Sequence, residues 1–292
     1  NAGEVYRIRA AFDPRTDSDL TGSLIESNRP VAIFSGHNCA YVPKRDYKAC
    51  NLLVEQLRPT IDYGTAFVLS PFAPRLSATA RIIADEQGTV VQIGDDQSVE
   101  LSAGAFHDQL FSVPLSLRSN KPVQVVAYTH GFTYPEPPLL RADSIGDPMM
   151  VTIPPIDAFS QQHQVFASRE GSWHVYATIV VPTTSVSEVF VGTERVDAGV
   201  FTKVPSTDYS VGAIEILNGS QTVTCSEPVG VLVHGTGYAD KQFDAYGHVA
   251  PRVSTTVFTD GMPEISELEV ESERQPASEA PTWRPIERLD AR

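Results

Sequence analysis

Three cysteines, three recurring histidines and a few carboxylate groups are the residues of this chain best suited to chemistry. Cys39, Cys50 and Cys225 come without a C-x-x-C spacing or paired histidines, so a metal site is a poor reading and no metal ligand is assigned. Cys39 and Cys50 bracket a short segment that a disulfide could close, which would place the chain in an oxidising compartment. Cys225 lies in the alternating run Thr222-Val223-Thr224-Cys225 and reads as a small buried apolar residue. His37, His130 and His234 each follow a similar apolar run. Imidazoles ligate metals and shuttle protons, but glycine beside them favours turn residues inherited from a common hairpin. Ser35-Gly36-His37 is not the G-x-S-x-G elbow of a hydrolase, and the Gly-rich His234-Gly235-Thr236-Gly237 is weak evidence for an oxyanion loop. No catalytic residue and no cofactor are expected. Asp13, Asp17 and Asp19 lack the spacing of a calcium loop and read as a solvated turn. Asn218-Gly219-Ser220 is a glycosylation sequon, with Asn218 the candidate acceptor, although Asn-Gly is also a favoured hairpin turn.

The elements that must position these residues are short β-rich runs cut by Pro, Gly, Asp and Asn. Examples are Thr89 to Ile93, Gln97 to Leu101, Val123 to Tyr128, His174 to Val181 and Val229 to Val233. Their spacing suggests a sandwich or barrel rather than βαβ units. The 22 prolines fall mostly at the edges of these runs, where a missing N–H does least harm. One segment, Asp46 to Leu57, puts Ala49, Leu53 and Leu57 on one helical face before Pro59 and predicts a short helix.

Repetition is the most informative pattern. Asn28-Arg29-Pro30-Val31-Ala32-Ile33, Asn120-Lys121-Pro122-Val123-Gln124-Val125 and Glu227-Pro228-Val229-Gly230-Val231 are variants of one phrase, each followed by a Gly/His segment expected to turn. In two copies the match extends upstream: Ala78 to Ala84 resembles Tyr176 to Val181, and Thr89 to Gly94 resembles Ser187 to Gly192. The expected fold class is all-β: tandem antiparallel β-sandwich-like repeats with a partial third unit and an extended C-terminal tail. The expected division is a partial unit with the short helix and the cysteine loop over 1–58, a first full unit over 59–138, a second over 139–250, and a strand plus an acidic, Pro-rich tail over 251–292. Half a sandwich leaves a sheet face and an edge uncovered. The missing strands are expected from residues 247–260 folding back, from a neighbouring subunit, or from sequence removed ahead of Asn1.

Composition limits the partners. A formal charge of −14 with scattered Lys and Arg argues against nucleic acid and anionic membranes. No apolar run approaches the ~20 residues of a membrane-spanning helix. The start Asn1-Ala2-Gly3, without Met, reads as a processed product whose leader would lie outside this sequence.

Gly22 to Ala40, with Gly36-His37-Asn38-Cys39-Ala40, resembles the N-terminal domain family of IgGFc-binding protein. So do Cys50-Asn51-Leu52-Leu53-Val54-Glu55-Gln56-Leu57-Arg58-Pro59 with Tyr63 to Val68, and Gly146 to Met150 with Ile153-Pro154-Pro155-Ile156. The resemblance implies an extracellular or cell-surface domain of large adhesive or mucin-associated proteins, and a disulfide between Cys39 and Cys50. Asn51-Leu52 stands where the family has Asp-His, and Cys225 has no family counterpart. The expected role is non-enzymatic: a structural or adhesion module joining copies of itself into a homo-oligomer or filament through sheet edges, with residues 1–30 and 261–292 as arms. The alternative is a module recognising an extracellular glycoprotein, mucin or immunoglobulin through Gly36–Lys48 or Thr129–Pro138, with Tyr41, Phe132 and Tyr134 as the binding candidates.

Overall fold

Alternating apolar and polar residues make strands wherever one face finds a core, and that rule builds this molecule. The computed structural model describes residues 5–10, 19–135, 146–167, 173–217, 219–239 and 242–253. The tail from 254 onward, together with Asp13, Asp17 and Asn218, lies outside the described residues. Strands β1 (Phe34–Ala40) and β2 (Asn51–Gln56) form an antiparallel two-stranded ribbon. The first large sheet comprises β3 (Gly64–Leu69), β4 (Ala78–Ala84), β5 (Thr89–Ile93), β6 (Gln97–Leu101), β7 (Phe106–Phe111), β8 (Leu115–Tyr128) and β9 (Met150–Thr152). The second comprises β10 (Ser160–Ala167), β11 (Trp173–Pro182), β12 (Phe190–Val191), β13 (Glu194–Arg195), β14 (Thr202–Lys203), β15 (Tyr209–Glu215), β16 (Gly219–Ala239) and β17 (Gln242–Val249). The fold is all-β and sandwich-like, as the sequence pattern predicts.

The two sheets repeat one topology. In each, a long strand collects the others: β8 pairs with β3, β5, β4 and β9, and β16 pairs with β10, β12, β11 and β17. A 3₁₀ turn entered from proline precedes the first strand of each: Thr60–Asp62 after Pro59, and Ile156–Ala158 after Pro155. Alternation sets the faces. β4 turns Ala78, Ala80, Ile82 and Ala84 inward, where they meet Phe67, Leu69, Val91 and Val125. β11, β16 and β10 build the second core from Val175, Ile179, Val231 and Val165. Leu232 and Ala245 of the second sheet also pack into the first core, so residues 1–253 form one compact unit.

Four features depart from the sequence reading. Residues 51–56 are a strand, not the end of a helix. The run Leu52-Leu53-Val54 fits both periods, and pairing with β1 decides for strand. The Gly/His segments are not turns in every copy: Ser35-Gly36-His37 lies within β1 and His234 to Gly237 within β16. There the glycines admit aromatic rings. A Cβ at Gly235 would sit 2.3 Å from Tyr246, and one at Gly237 2.9 Å from Trp173. Third, Met150–Thr152, placed in the second unit by a boundary at 139, pairs with β8 of the first sheet. Finally, of residues 247–260, expected as a source of the missing strands, the described part up to Val253 lies along the second sheet. β17 lies along β16, and Pro251 O accepts the Gln164 N–H at 2.9 Å. Among the described residues the ribbon gains no strand from that segment.

Candidate functional site at the disulfide loop

β2 presents two different faces. Inward, Leu53 is buried and the Glu55 carboxylate accepts the Thr152 N–H at 2.9 Å, which docks the ribbon on β9. Outward, Leu52 and Val54 are 61% and 57% exposed, and Phe34, opposite Gln56 in register, adds 64% on the same face. Large exposed apolar strips are the kind of surface through which proteins meet partners.

At one end of this ribbon the chain reverses between Ala40 and Asn51. Cys39 and Cys50 close the reversal as a disulfide with Cα atoms 4.9 Å apart. The loop then docks on the turn after β8. Gly131 N–H donates to Val42 O at 2.9 Å, Thr133 N–H to Lys48 O at 2.9 Å, and Lys48 N–H to Thr133 Oγ1 at 2.7 Å. Position 131 has to be glycine, because a Cβ would lie 2.6 Å from Lys48 O. Tyr47 and Tyr134 meet edge to face with centroids 4.8 Å apart, and Tyr134 continues onto His130 at 4.1 Å. The two segments that the sequence offers as separate binding loops thus form one surface. Tyr41 is exposed on it; Phe132 and Tyr134 are half-buried.

Buried polar groups fix this surface from beneath. The Asp147 carboxylate accepts the Ala49 N–H, and burial pushes its pKa up to about 7, with Asp244 adding to the rise and Arg75 opposing it. Asn51 Nδ2 donates to Pro148 O at 3.0 Å and to Asp244 Oδ1 at 3.1 Å. His130, fully buried, has Ser77 Oγ at 3.1 Å from Nδ1 and Thr79 Oγ1 at 2.9 Å from Nε2. That pair resembles a nucleophile with its base, but burial seals it, and its effect is to hold the turn that carries Gly131 and Tyr134.

The three histidines do not share a site. His37 is exposed and accepts the Cys39 N–H at 3.0 Å. His234 is buried elsewhere, donating from Nε2 to Ala73 O at 2.8 Å and stacking on Tyr176. Burial pushes its pKa down to about 4. Asp19 is an exposed loop residue, as expected, and it is also paired: Arg81 bonds it at 2.6 Å and Asp108 at 2.8 Å. Cys225 is buried, with its thiol 3.8 Å from Ser185 O. Among the described residues no group of three or more His, Cys, Asp or Glu is arranged to hold a metal, and no helix is long and apolar enough to cross a membrane. Sequence reasoning missed Tyr47, Asn51, Thr133 and Asp147. Tyr47 and Asn51 fall in the segment read as helix, while Thr133 and Asp147 sit in loops with no periodic signal.

Comparison with known proteins adds the family. A solved anti-sigma factor domain-containing protein covers 76% of this chain and 89% of its own at 10% identity; its TM-score of 0.17 carries no argument. The IgGFc-binding protein of Homo sapiens is 28% identical over 252 residues, which is 82% of this chain and 4% of that protein's length. The family model described as IgGFc binding protein matches residues 1–235. With most of its length matched by that model, the chain belongs to the IgGFc binding protein family.

Proposed function

We propose that this chain is an extracellular, non-catalytic binding module, and that the surface made by the β1–β2 ribbon, the Cys39–Cys50 loop and the 131–134 turn receives its partner. The observation that carries the reading is the junction of the two loops. Separately, Tyr41, Tyr47, Phe132 and Tyr134 would be mobile aromatics; joined by two main-chain hydrogen bonds, a third from Lys48 N–H to the Thr133 hydroxyl, and a ring contact, they present a pre-organised patch beside exposed Phe34, Leu52 and Val54. Rigid aromatic anchors beside an apolar strip suit a protein or glycoprotein surface. The disulfide supports an oxidising, extracellular setting.

The name of the human relative makes an immunoglobulin Fc the first partner to try, with mucin glycoprotein second. Surface-immobilised chain is titrated with each, alongside Tyr41→Ala and Leu52→Asp variants. Binding weakened at least tenfold by both substitutions supports the reading. Binding that neither substitution touches, or none to either partner, removes it.

Self-association is a second reading favoured by one specific observation. β1 pairs only with β2 among the described residues, so its outer edge can accept a strand. Light scattering separates the two readings. Concentration-dependent mass that disappears on deletion of 261–292 favours assembly; a monomer that binds Fc or mucin favours recognition.

A further inference from the structure

A second site lies away from the disulfide loop, on the second sheet. A cleft of about 190 Å³ opens where the segment after β17 runs along β10. One wall is the Phe159 ring, which fits because residue 230 is glycine; a Cβ there would sit 2.4 Å from the ring. Two arginines, Arg58 from the chain after β2 and Arg252 from the segment after β17, line the same cleft. Arg58 is half-buried and Arg252 exposed, and among the described residues neither is ion-paired. In a chain with 36 acidic and 22 basic residues, two acid-free guanidinium groups beside one cavity are contrary to the overall charge balance. The arginines that sit away from clefts can be paired, as Arg81 is with Asp19 and Asp108.

The wall adds a third nitrogen-rich group. His163 is 2% exposed, with Nδ1 3.1 Å from Ala250 O and Nε2 2.9 Å from Val229 O. Both contacts are to backbone carbonyl oxygens, so the ring is anchored between the segment after β17 and β16 where they wall the cleft.

We propose that this cleft is an anion-binding site for a single ring-sized ligand bearing a carboxylate or sulfate. The arginine forks take the anionic group, as planar guanidinium groups do. Phe159, Pro154 and Pro251 supply an apolar wall for the ring. The volume is below the roughly 300 Å³ of a drug-sized pocket, which selects a terminal group over an extended chain. The site is independent of the ribbon surface and does not rest on it.

The test uses the full chain titrated with inorganic sulfate, glucuronate and glucose, followed by NMR of the His163 and Phe159 resonances and by calorimetry. Saturable shifts with sulfate and glucuronate, at dissociation constants on the order of millimolar, and none with glucose, are expected. Arg58→Gln and Arg252→Gln each weaken binding roughly tenfold, and Arg252→Lys recovers part of it. Preference between the two anions then assigns a sulfate ester or a carboxylated sugar. The proposal is overturned by shifts that survive the double Gln variant with unchanged melting temperature, by equal response to glucose, or by no saturation with either anion.

Discussion

The β1–β2 ribbon and the β16–β17 hairpin are versions of one structural idea held in place by different means. In the second sheet, β16 is flanked along its length, and its inward residues Val229, Val231 and Val233 are completely buried. The ribbon has no such neighbours. Apart from Leu53, its apolar side chains Phe34, Leu52 and Val54 face water. In place of a core it has a disulfide, the Asp147 and Asn51 contacts beneath, and three hydrogen bonds to the 131–133 turn, two main chain to main chain and one to the Thr133 hydroxyl. Covalent closure and a few docking bonds thus order a hairpin while leaving its outer face free, which a hydrophobic core cannot do.

That contrast can be broken first with matched deletions. Ile179→Ala removes a fully buried side chain from β11 and is expected to cost about 3–4 kcal/mol in urea unfolding. Leu52→Ala, on the ribbon's open face, should stay within about 0.5 kcal/mol. Equal losses would mean that the ribbon's outer face is covered in solution.

The next largest effect comes from the covalent tie. Replacing Cys39 and Cys50 together by Ser reopens a loop of sequence separation 11, a chain-entropy change of about 3 kcal/mol. Hydrogen exchange should quicken from Val42 to Val54 and leave β11 and β16 untouched. Uniform quickening across both regions would show that the ribbon is part of the common core after all.

The smallest effect is a pH profile that sets Asp147 against His234. His234 has a depressed pKa in the fold, so its stability contribution is complete above about 6.5 and is lost as pH falls toward 4. Asp147 has a raised pKa, so its contribution is complete below 3.8 and is lost as pH rises toward 7. The two oppose each other across the same window. Melting temperature should therefore vary little between about pH 4 and 7 in the unmodified chain. In Asp147→Asn it should rise more steeply with pH, and in His234→Gln it should fall. Parallel profiles in all three proteins would refute both assignments.

How far the sequence revealed this arrangement varies residue by residue. The Pro-Val phrases at 122 and 228 mark the long strands because alternation and an X-Pro step are local signals. The alternating runs Thr89 to Ile93 and Gln97 to Leu101 are local signals too, and they pair as β5 and β6 across the turn at Asp95-Asp96. Gly235 and Gly237 look like turn residues only until the Tyr246 and Trp173 rings that occupy their faces are in place, and those rings come from other strands, Trp173 from β11 far upstream. Leu52-Leu53-Val54 was ambiguous because a three-residue apolar run satisfies either period, and only β1 resolves it. Tyr41, Phe132 and Tyr134 were chosen by residue type from two loops; that the loops touch depends on Gly131 and Thr133, whose partners are more than eighty positions upstream.

The length of β16 has a consequence for the order in which the molecule can be made. Residues 219–239 supply the partner for β10, β11, β12 and β17. A ribosome delivers β10, β11 and β12 before that strand exists, so the edges they will present to it must wait, unsatisfied, until it emerges. The first sheet has the same lag over a shorter interval, because β3 to β5 await β8. Assembly therefore proceeds in two delayed steps, and during each pause the nascent edges are the segments most in need of protection from one another.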